Sequence, residues 1–168
     1  PCREICALPG ASMQTVTRLC KLGLLEQQER EVLRSPKQEL PPPAEPITLT
    51  DEQQTAFDGL SAQMEREKPG AALLYGVTGS GKTAVYVALI QKALDEGRSA
   101  MLLVPELALT PQLLGRMTAH FGKTVAVLHS SLRVGERYDE WRRIARGEAR
   151  VVVGTRSAGY AHLQSAGL

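Results

Sequence analysis

The sequence predicts an α/β fold, a parallel sheet flanked by helices, that follows a short and separate first section. Between residues 51 and 153, short apolar runs alternate with stretches of helical periodicity. A Gly-rich turn joins the first of these apolar runs to a helix. Four prolines between residues 41 and 46 divide the chain into its two sections. With 168 residues, the chain can hold one domain and part of another.

The composition is that of a globular protein, since 43% of the residues are apolar and 23% are charged. The 20 basic and 18 acidic residues leave a net charge of +2, too little to hold DNA by bulk charge alone. With only one Trp, four Tyr and two Phe, no base-stacking platform is predicted, so phosphates are the expected target if nucleic acid binds. No apolar run is long enough to cross a membrane, and the first residues lack a signal-peptide core.

The three cysteines, Cys2, Cys6 and Cys20, form no paired pattern, which favours a reducing cytosol over a disulfide framework. Cys2 and Cys6 could form half of a metal site. The three histidines are scattered, however, so buried or free thiols are the simpler interpretation.

The first section, residues 1–39, predicts a helix followed by two short strands. Ser12 is a suitable N-cap, apolar residues then recur at helical spacing, and Gly23 is a suitable stop. Strands are predicted at 24–25 and 32–33. This order is how a winged helix ends, although a generic helix and hairpin would look the same. Residues 40–47 are predicted to form a semi-rigid linker, because proline fixes φ and removes backbone donors.

The second section, residues 48–168, alternates helices and strands in the order typical of a parallel sheet. The predicted helices are Asp51–Met64, capped by Thr50 or Asp51, then Lys82–Leu94, Pro111–Phe121, capped by Thr110, and Gly135–Ala145. The predicted strands are Ala71–Tyr75, Ala100–Val104, Thr124–Leu128 and Arg150–Val153.

The strongest motif is a GxxxxGK[ST] sequence between the first predicted strand and its helix. It consists of Gly76, Val77, Thr78, Gly79, Ser80, Gly81, Lys82 and Thr83. Glycines let successive N–H groups face phosphates, Lys82 supplies a compact positive charge, and the Thr83 hydroxyl suits Mg²⁺. The alternative is a Gly-rich turn before a helix, but the strand and helix around the motif favour nucleotide binding.

Three further segments carry groups that suit nucleotides or nucleic acids. The amide of Gln53 offers a donor and an acceptor, which suits the edge of adenine, although a surface Gln is the simpler interpretation. The segment 105–112 follows a predicted strand, and its Thr110 opens a helix that could hold a strand phosphate. Thr155 and Arg156 follow the last predicted strand and also suit a phosphate. Ordinary turns and a salt-bridged Arg are the alternatives.

Four segments together resemble one family. GVTGSGKT, LVPELALTPQ, LHSSL and ERYDEWRRIARGEARVVVGTRSA, with their spacing, are similar to primosomal protein N′, the PriA family of bacterial replication-restart helicases. The resemblance extends from about Ala7 to Leu168. It implies the first, RecA-like P-loop NTPase lobe of a superfamily 2 helicase, preceded by the C-terminal part of a winged-helix domain.

By this resemblance, Gly76–Thr83 is the Walker A motif, with Lys82 and Thr83 as its catalytic residues, Thr83 as its metal ligand and Gln53 as the adenine contact. Pro105, Thr110 and Gln112 belong to a strand-tracking motif, and Thr155 and Arg156 to a second DNA-contacting motif. His129-Ser130 lies in the LHS segment, to which we assign no further role.

The resemblance implies an ATP-dependent 3′-to-5′ DNA helicase that acts at stalled or abandoned forks and restarts replication by primosome assembly. ATP and Mg²⁺ are the expected cofactors; the family also binds zinc, through ligands that this sequence does not contain. Forked and single-stranded DNA, primosome proteins and single-stranded-DNA-binding protein are the expected partners, in the bacterial cytoplasm near the nucleoid.

The family's acidic Asp-Glu-Glu-His motif, second motor lobe and arginine finger are not found in these 168 residues. We therefore expect an internal fragment that binds nucleotide but hydrolyses it negligibly. A DNA-binding module with a passive P-loop is the alternative, and a P-loop kinase accounts for fewer of the segments.

Overall fold

The computed structural model describes residues 12–26, 41–66, 69–161, 163 and 166–168. The chain divides into two compact units, Pro1–Val32 and Leu33–Leu168. The described elements are the helices α1 (Met13–Lys21), α2 (Asp51–Met64), α3 (Lys82–Asp95), α4 (Pro111–Phe121) and α5 (Val134–Ala145), and the strands β1 (Ala100–Leu103), β2 (Val125–Leu128) and β3 (Val151–Gly154).

The first unit contains helix α1, which the sequence predicts correctly. Ser12 is its N-cap and accepts the Thr15 N–H at 3.2 Å, while Gly23, with φ of 70°, turns the chain at its end. The predicted strand at 24–25 is wrong, because both of these N–H groups donate to the carbonyl of Leu19 and close the helix instead. The predicted partner strand at 32–33, and with it the hairpin, lies outside the described residues.

The second unit is built on a parallel three-stranded sheet of order β1-β3-β2. Leu103, Gly154 and Leu128 are paired in register, so the three strands end together at one edge. Because β3 has a neighbour on both sides, its backbone is fully paired, and Val151, Val152 and Val153 are completely buried. The predicted parallel α/β architecture is confirmed for this sheet.

Helices cover both faces of the sheet, as parallel sheets require. On one face, Val87 and Ile90 of α3 and Met117 and Phe121 of α4 pack with Val151 and Val153. On the other face, Ile144 of α5 packs with Ala126, Leu128 and Val152. The alternation of contacts along β3 follows from the period of two in a strand.

The predicted strand at 71–75 is wrong. These residues have no strand assignment, and Leu73 and Tyr75 are 87% and 90% exposed. The physical reason is the lack of a neighbour, because no described strand pairs with this run. A groove of about 720 Å³ lies between the run and β1, lined by Ala72 and Leu74 on one side and by Met101 and Leu102 on the other.

The outer edge of β1 is partly covered by residues 166–168. Ala166 forms a parallel bridge with Ser99. The Gly167 N–H donates to the Ser99 carbonyl at 2.8 Å, and the Met101 N–H donates to the Leu168 carbonyl at 2.9 Å. This pairing satisfies the first part of the β1 edge.

The described part of the proline-rich segment, residues 41–47, contains neither helix nor strand, as four prolines dictate. It nevertheless belongs to the second unit and packs on the helices of that unit. The Ala44 N–H donates to the Ala119 carbonyl of α4 at 3.0 Å, and Ile47 packs against the core. The segment therefore has a defined course along the helices.

Candidate functional site

The Gly-rich loop precedes helix α3 directly. Gly79 and Gly81 adopt left-handed φ values of 85° and 80°, which favour glycine, and the Ser80 N–H closes a turn on the Val77 carbonyl. Gly81 is the N-cap of α3, so the loop ends at the positive end of the helix dipole. A Cβ at Gly76 would stand 2.7 Å from Ser80 Oγ. The loop therefore has the curled backbone and the helix end that a phosphate group requires.

The ammonium of Lys82 lies inside this loop. Its Nζ donates to the carbonyls of Gly76 at 2.7 Å and Val77 at 2.8 Å. Thr83 follows in the first turn of α3 and is half-buried. The loop, the ammonium and the hydroxyl fit a nucleotide phosphate with a bound Mg²⁺. The described residues contain no cluster of three or more Asp, Glu, His or Cys that would complete a metal site.

Gln53 contacts the loop from helix α2, a contact that sequence spacing could not predict. Its Oε1 accepts the Thr50 N–H at 3.1 Å in a capping box. Its Nε2 donates to the Ser80 carbonyl at 3.1 Å. A Cβ at Gly81 would displace this amide from the loop, and the φ of 80° at Gly81 itself favours glycine. Gln53 is thus next to the loop, with both ends of its amide bonded.

Helix α3 points its first turn toward the edge where the strands end. Residues 96–99 link it to β1 in a tight turn closed by Gly97, and both elements share one core. They must therefore run antiparallel. Lys82 consequently lies toward the carboxyl ends of the strands, where ligands bind in open α/β folds.

The other predicted site segments meet at this same edge. The Val104 N–H donates to the Gly154 carbonyl, and the Thr155 N–H donates to the Leu128 carbonyl. The segments after β1, β2 and β3 therefore leave the sheet side by side. A Cβ at Gly154 would strike the Leu128 carbonyl, so this close approach depends on glycine.

The segment after β1 forms a short 3₁₀ turn at Glu106–Ala108 before helix α4. Thr110 is the N-cap of α4 and accepts the Leu113 N–H at 3.2 Å, as predicted. Pro105 and Gln112 are exposed, and Leu107 is almost fully exposed. This segment presents the positive end of α4 to solvent at the sheet edge.

The segment after β3 separates its two predicted contact residues. Arg156 is exposed at the start of a 3₁₀ turn. Thr155 is only 3% exposed, so its hydroxyl is not presented to solvent with the guanidinium. Arg156 is the cation that this segment offers.

Two arginines that sequence reasoning missed brace the two ends of strand β2. Arg137 of α5 donates to the carbonyls of Ser130 and Leu132 in the loop after β2, at 3.1 and 3.3 Å. Arg143 bonds the buried carboxylate of Glu140 through Nη1 and also reaches the backbone where β2 begins. Arginine spacing within a helix gives no signal for such contacts with backbone outside the helix.

Helices α2 and α3 are also linked by charge. Lys92 of α3 contacts Glu65 and Glu96, each at 2.9 Å. The Lys92 hydrogen bond and charge hold the pKa of the Glu65 carboxyl below its ordinary value of 4.5. This ion pair lies on the surface, and it connects the end of α2 to α3.

A P-loop at the carboxyl edge of a parallel sheet defines the class as a P-loop α/β domain. The chain belongs to the family described as type III restriction enzyme, res subunit, which matches residues 46–167. The small parallel sheet and this match fit an α/β helicase lobe. None of the described helices is long and apolar enough to span a membrane.

Curated relatives confirm the resemblance to the replication-restart family. The chain is 44% identical to the replication restart protein PriA of Bacillus subtilis over 100% of its own length and 21% of the relative. It is 42% identical to PriA of Synechocystis over 94% of its length and 18% of the relative. It is 47% identical to PriA of Chlamydia muridarum over 74% of its length and 16% of the relative. The chain thus spans about a fifth of the length of these relatives.

Proposed function

We propose that this chain carries the ATP-binding and DNA-contacting part of an ATP-dependent 3′-to-5′ DNA helicase that restarts replication at stalled or abandoned forks. The observation that carries the proposal is the position of the P-loop and the exposed segments after β1 and β3 at one sheet edge. Residues 48–168 would form the motor lobe, 40–47 the linker and 1–39 the end of a winged helix. The similarity to replication restart proteins of bacteria supports a role in replication restart.

ATP and Mg²⁺ are the proposed cofactors. The backbone of residues 76–81 and the ammonium of Lys82 would bind the phosphates, the Thr83 hydroxyl would bind Mg²⁺, and Gln53 would contact adenine. Lys82 already stands between two carbonyls of the loop, so binding exchanges these acceptors for phosphate oxygens. The bound metal would neutralise phosphate charge during transfer to water.

Forked and single-stranded DNA are the proposed nucleic-acid partners. The helix end at Thr110, Gln112 and Arg156 would contact strand phosphates and Pro105 would lie against the strand, whereas Thr155, the remaining predicted contact, is buried. Primosome proteins and single-stranded-DNA-binding protein are the proposed protein partners, in the bacterial cytoplasm.

Nucleotide binding is tested by calorimetric titration with Mg²⁺–ADP. Lys82→Ala removes a charge-assisted bond to phosphate, so we expect an affinity loss of about 10- to 100-fold. Lys123→Ala removes an exposed lysine of the same unit and should bind as the unchanged chain does. Equal affinities for the two variants would contradict the proposal.

The alternative is a DNA-binding module whose P-loop is passive. One observation favours it: the Lys82 ammonium and the Gln53 amide are both bonded within the chain. This alternative requires that fork DNA binds with the same affinity in Lys82→Ala, and that Mg²⁺–ADP has no measurable affinity for the unchanged chain.

A further inference from the structure

Helix α5 carries an exposed strip of apolar and aromatic side chains. Val134, Tyr138, Trp141 and Ala145 follow one another at intervals of three or four residues and therefore share one face of the helix. Val134, Tyr138 and Trp141 are 83%, 63% and 43% exposed. We call these four residues, with Arg142, the aromatic strip.

The charges of α5 are segregated across the helix. The Glu136 carboxylate accepts the Arg133 N–H at 3.0 Å and caps the helix, while Asp139 and Glu140 are buried. The acids of α5 are thus turned away from the aromatic strip. Arg142 places its guanidinium 5.6 Å from the centre of the Tyr138 ring, so a cationic side chain lies next to the exposed aromatics.

The aromatic strip starts at the sheet edge that carries the proposed DNA contacts. Helix α5 begins six residues after the end of β2, and Arg137 ties it to the intervening loop through two carbonyls. From Val134 the strip runs for about 16 Å along the flank of the unit, at 1.5 Å per residue. A strand that leaves the edge near Arg156 could continue along it.

We propose that the aromatic strip binds single-stranded nucleic acid, with bases stacked on Tyr138 and Trp141 and a phosphate next to Arg142. Aromatic side chains with an adjacent cation are the usual platform for bases whose faces are exposed. The proposal extends the DNA contact under "Proposed function" and rests on it. The small number of aromatic residues predicted no such platform, because composition does not show that two of them share an exposed face.

An acidic peptide would also meet a positive aromatic surface. The continuity of the strip with the sheet edge favours nucleic acid instead. A duplex hides the faces of its bases, so it cannot stack on the aromatic rings.

Trp141 is the only tryptophan of the chain, so its fluorescence reports on this surface alone. Titration with a twelve-residue oligothymidylate should quench it, whereas a blunt duplex of the same length should quench it much less. Tyr138→Ala should weaken oligothymidylate binding about tenfold, and Tyr138→Phe should keep it. Tyr75→Ala removes an exposed tyrosine outside the strip and should bind as the unchanged chain does.

Binding measured by anisotropy of a labelled oligothymidylate separates the possible failures. Binding without any change in Trp141 fluorescence, and with full affinity in Tyr138→Ala, would overturn the inference and leave the proposed DNA contact intact. No binding of oligothymidylate or of fork DNA would overturn both. Quenching by polyglutamate but not by oligothymidylate would assign the strip to an acidic protein and overturn the inference.

Discussion

Two apolar runs of this chain have opposite fates. Residues 151–154 form the central strand β3, whose valines are completely buried between two neighbouring strands and two layers of helices. Residues 71–75 are equally apolar but lie exposed, without a paired strand among the described residues. The comparison shows that an apolar run becomes a strand only when its backbone N–H and C=O groups find a neighbour. The P-loop follows the exposed run in the sequence. Helix α3 and Gln53, rather than a preceding strand, hold this loop in position.

Hydrogen exchange should show the largest difference between the two runs. Amides of Val152 and Val153 can exchange only when the sheet opens, whereas those of residues 71–75 donate to no described backbone group. With an ordinary domain stability, β3 should exchange at least about a thousandfold more slowly. Equal protection of both runs, measured by mass spectrometry or NMR, would show that 71–75 is paired.

Loss of the ion pair between Glu140 and Arg143 should strongly destabilise the part of the molecule that contains the buried sheet. Glu140 is 3% exposed and bonds Arg143, so Glu140→Ala leaves the partly buried guanidinium of Arg143 without its carboxylate. We expect a loss of about 3–5 kcal/mol in the free energy of unfolding, measured with urea. Glu148→Ala removes an exposed acid 3.8 Å from Arg146 and should cost less than about 1 kcal/mol. Similar losses in both variants would refute the structural role of Glu140.

A smaller loss of stability is expected from a substitution next to the P-loop. Gln53→Ala removes the bond to the Thr50 N–H in the capping box and the bond to the Ser80 carbonyl, so it should cost about 1 kcal/mol and speed exchange of the loop amides. Gln54→Ala is the matched control, because Gln54 bonds only Asp58 on the surface. If Gln54→Ala changes loop exchange as much as Gln53→Ala does, Gln53 does not support the loop.

The smallest effect concerns pH. The folded pKa of Glu65 lies below 4.5 because Lys92 bonds its charged form, so the pair stabilises the fold above pH 4.5. This contribution is lost as the pH falls through the lowered pKa. At neutral pH, the urea midpoint of unfolding should therefore be slightly higher for the unchanged chain than for Glu65→Gln. In acid, this difference should vanish. A difference independent of pH would exclude the ion pair as its source.

Local patterns predicted much of this fold. The α2 and α4 boundaries agree with the prediction, because capping residues and apolar periodicity are encoded within each helix. The strands 100–103, 125–128 and 151–154 were found within one residue at each end. The run at 71–75 and the pair at 24–25 failed, since strand formation depends on distant neighbours.

The candidate site was predicted only in part, because local patterns identify a motif but not the contacts that tertiary packing creates. The motif at 76–83 predicted a phosphate-binding loop from its residue types alone, and the structure has the expected turn and helix there. The bond between Gln53 and Ser80 joins residues 27 positions apart, and the burial of Thr155 and the loop contacts of Arg137 depend on tertiary packing. No spacing rule contains this information. The roles of these residues in binding remain proposals.

The central claim is tested most directly by measuring ATP turnover of the 168-residue chain and of its Lys82→Ala variant, each with and without forked DNA. We predict that the chain binds Mg²⁺–ADP but shows no turnover above background, because the proposed phosphate-binding residues have no cluster of acids beside them, among the described residues, to complete a metal site. DNA-stimulated turnover that disappears in Lys82→Ala would contradict it, since an acid of this chain would then have to complete the site.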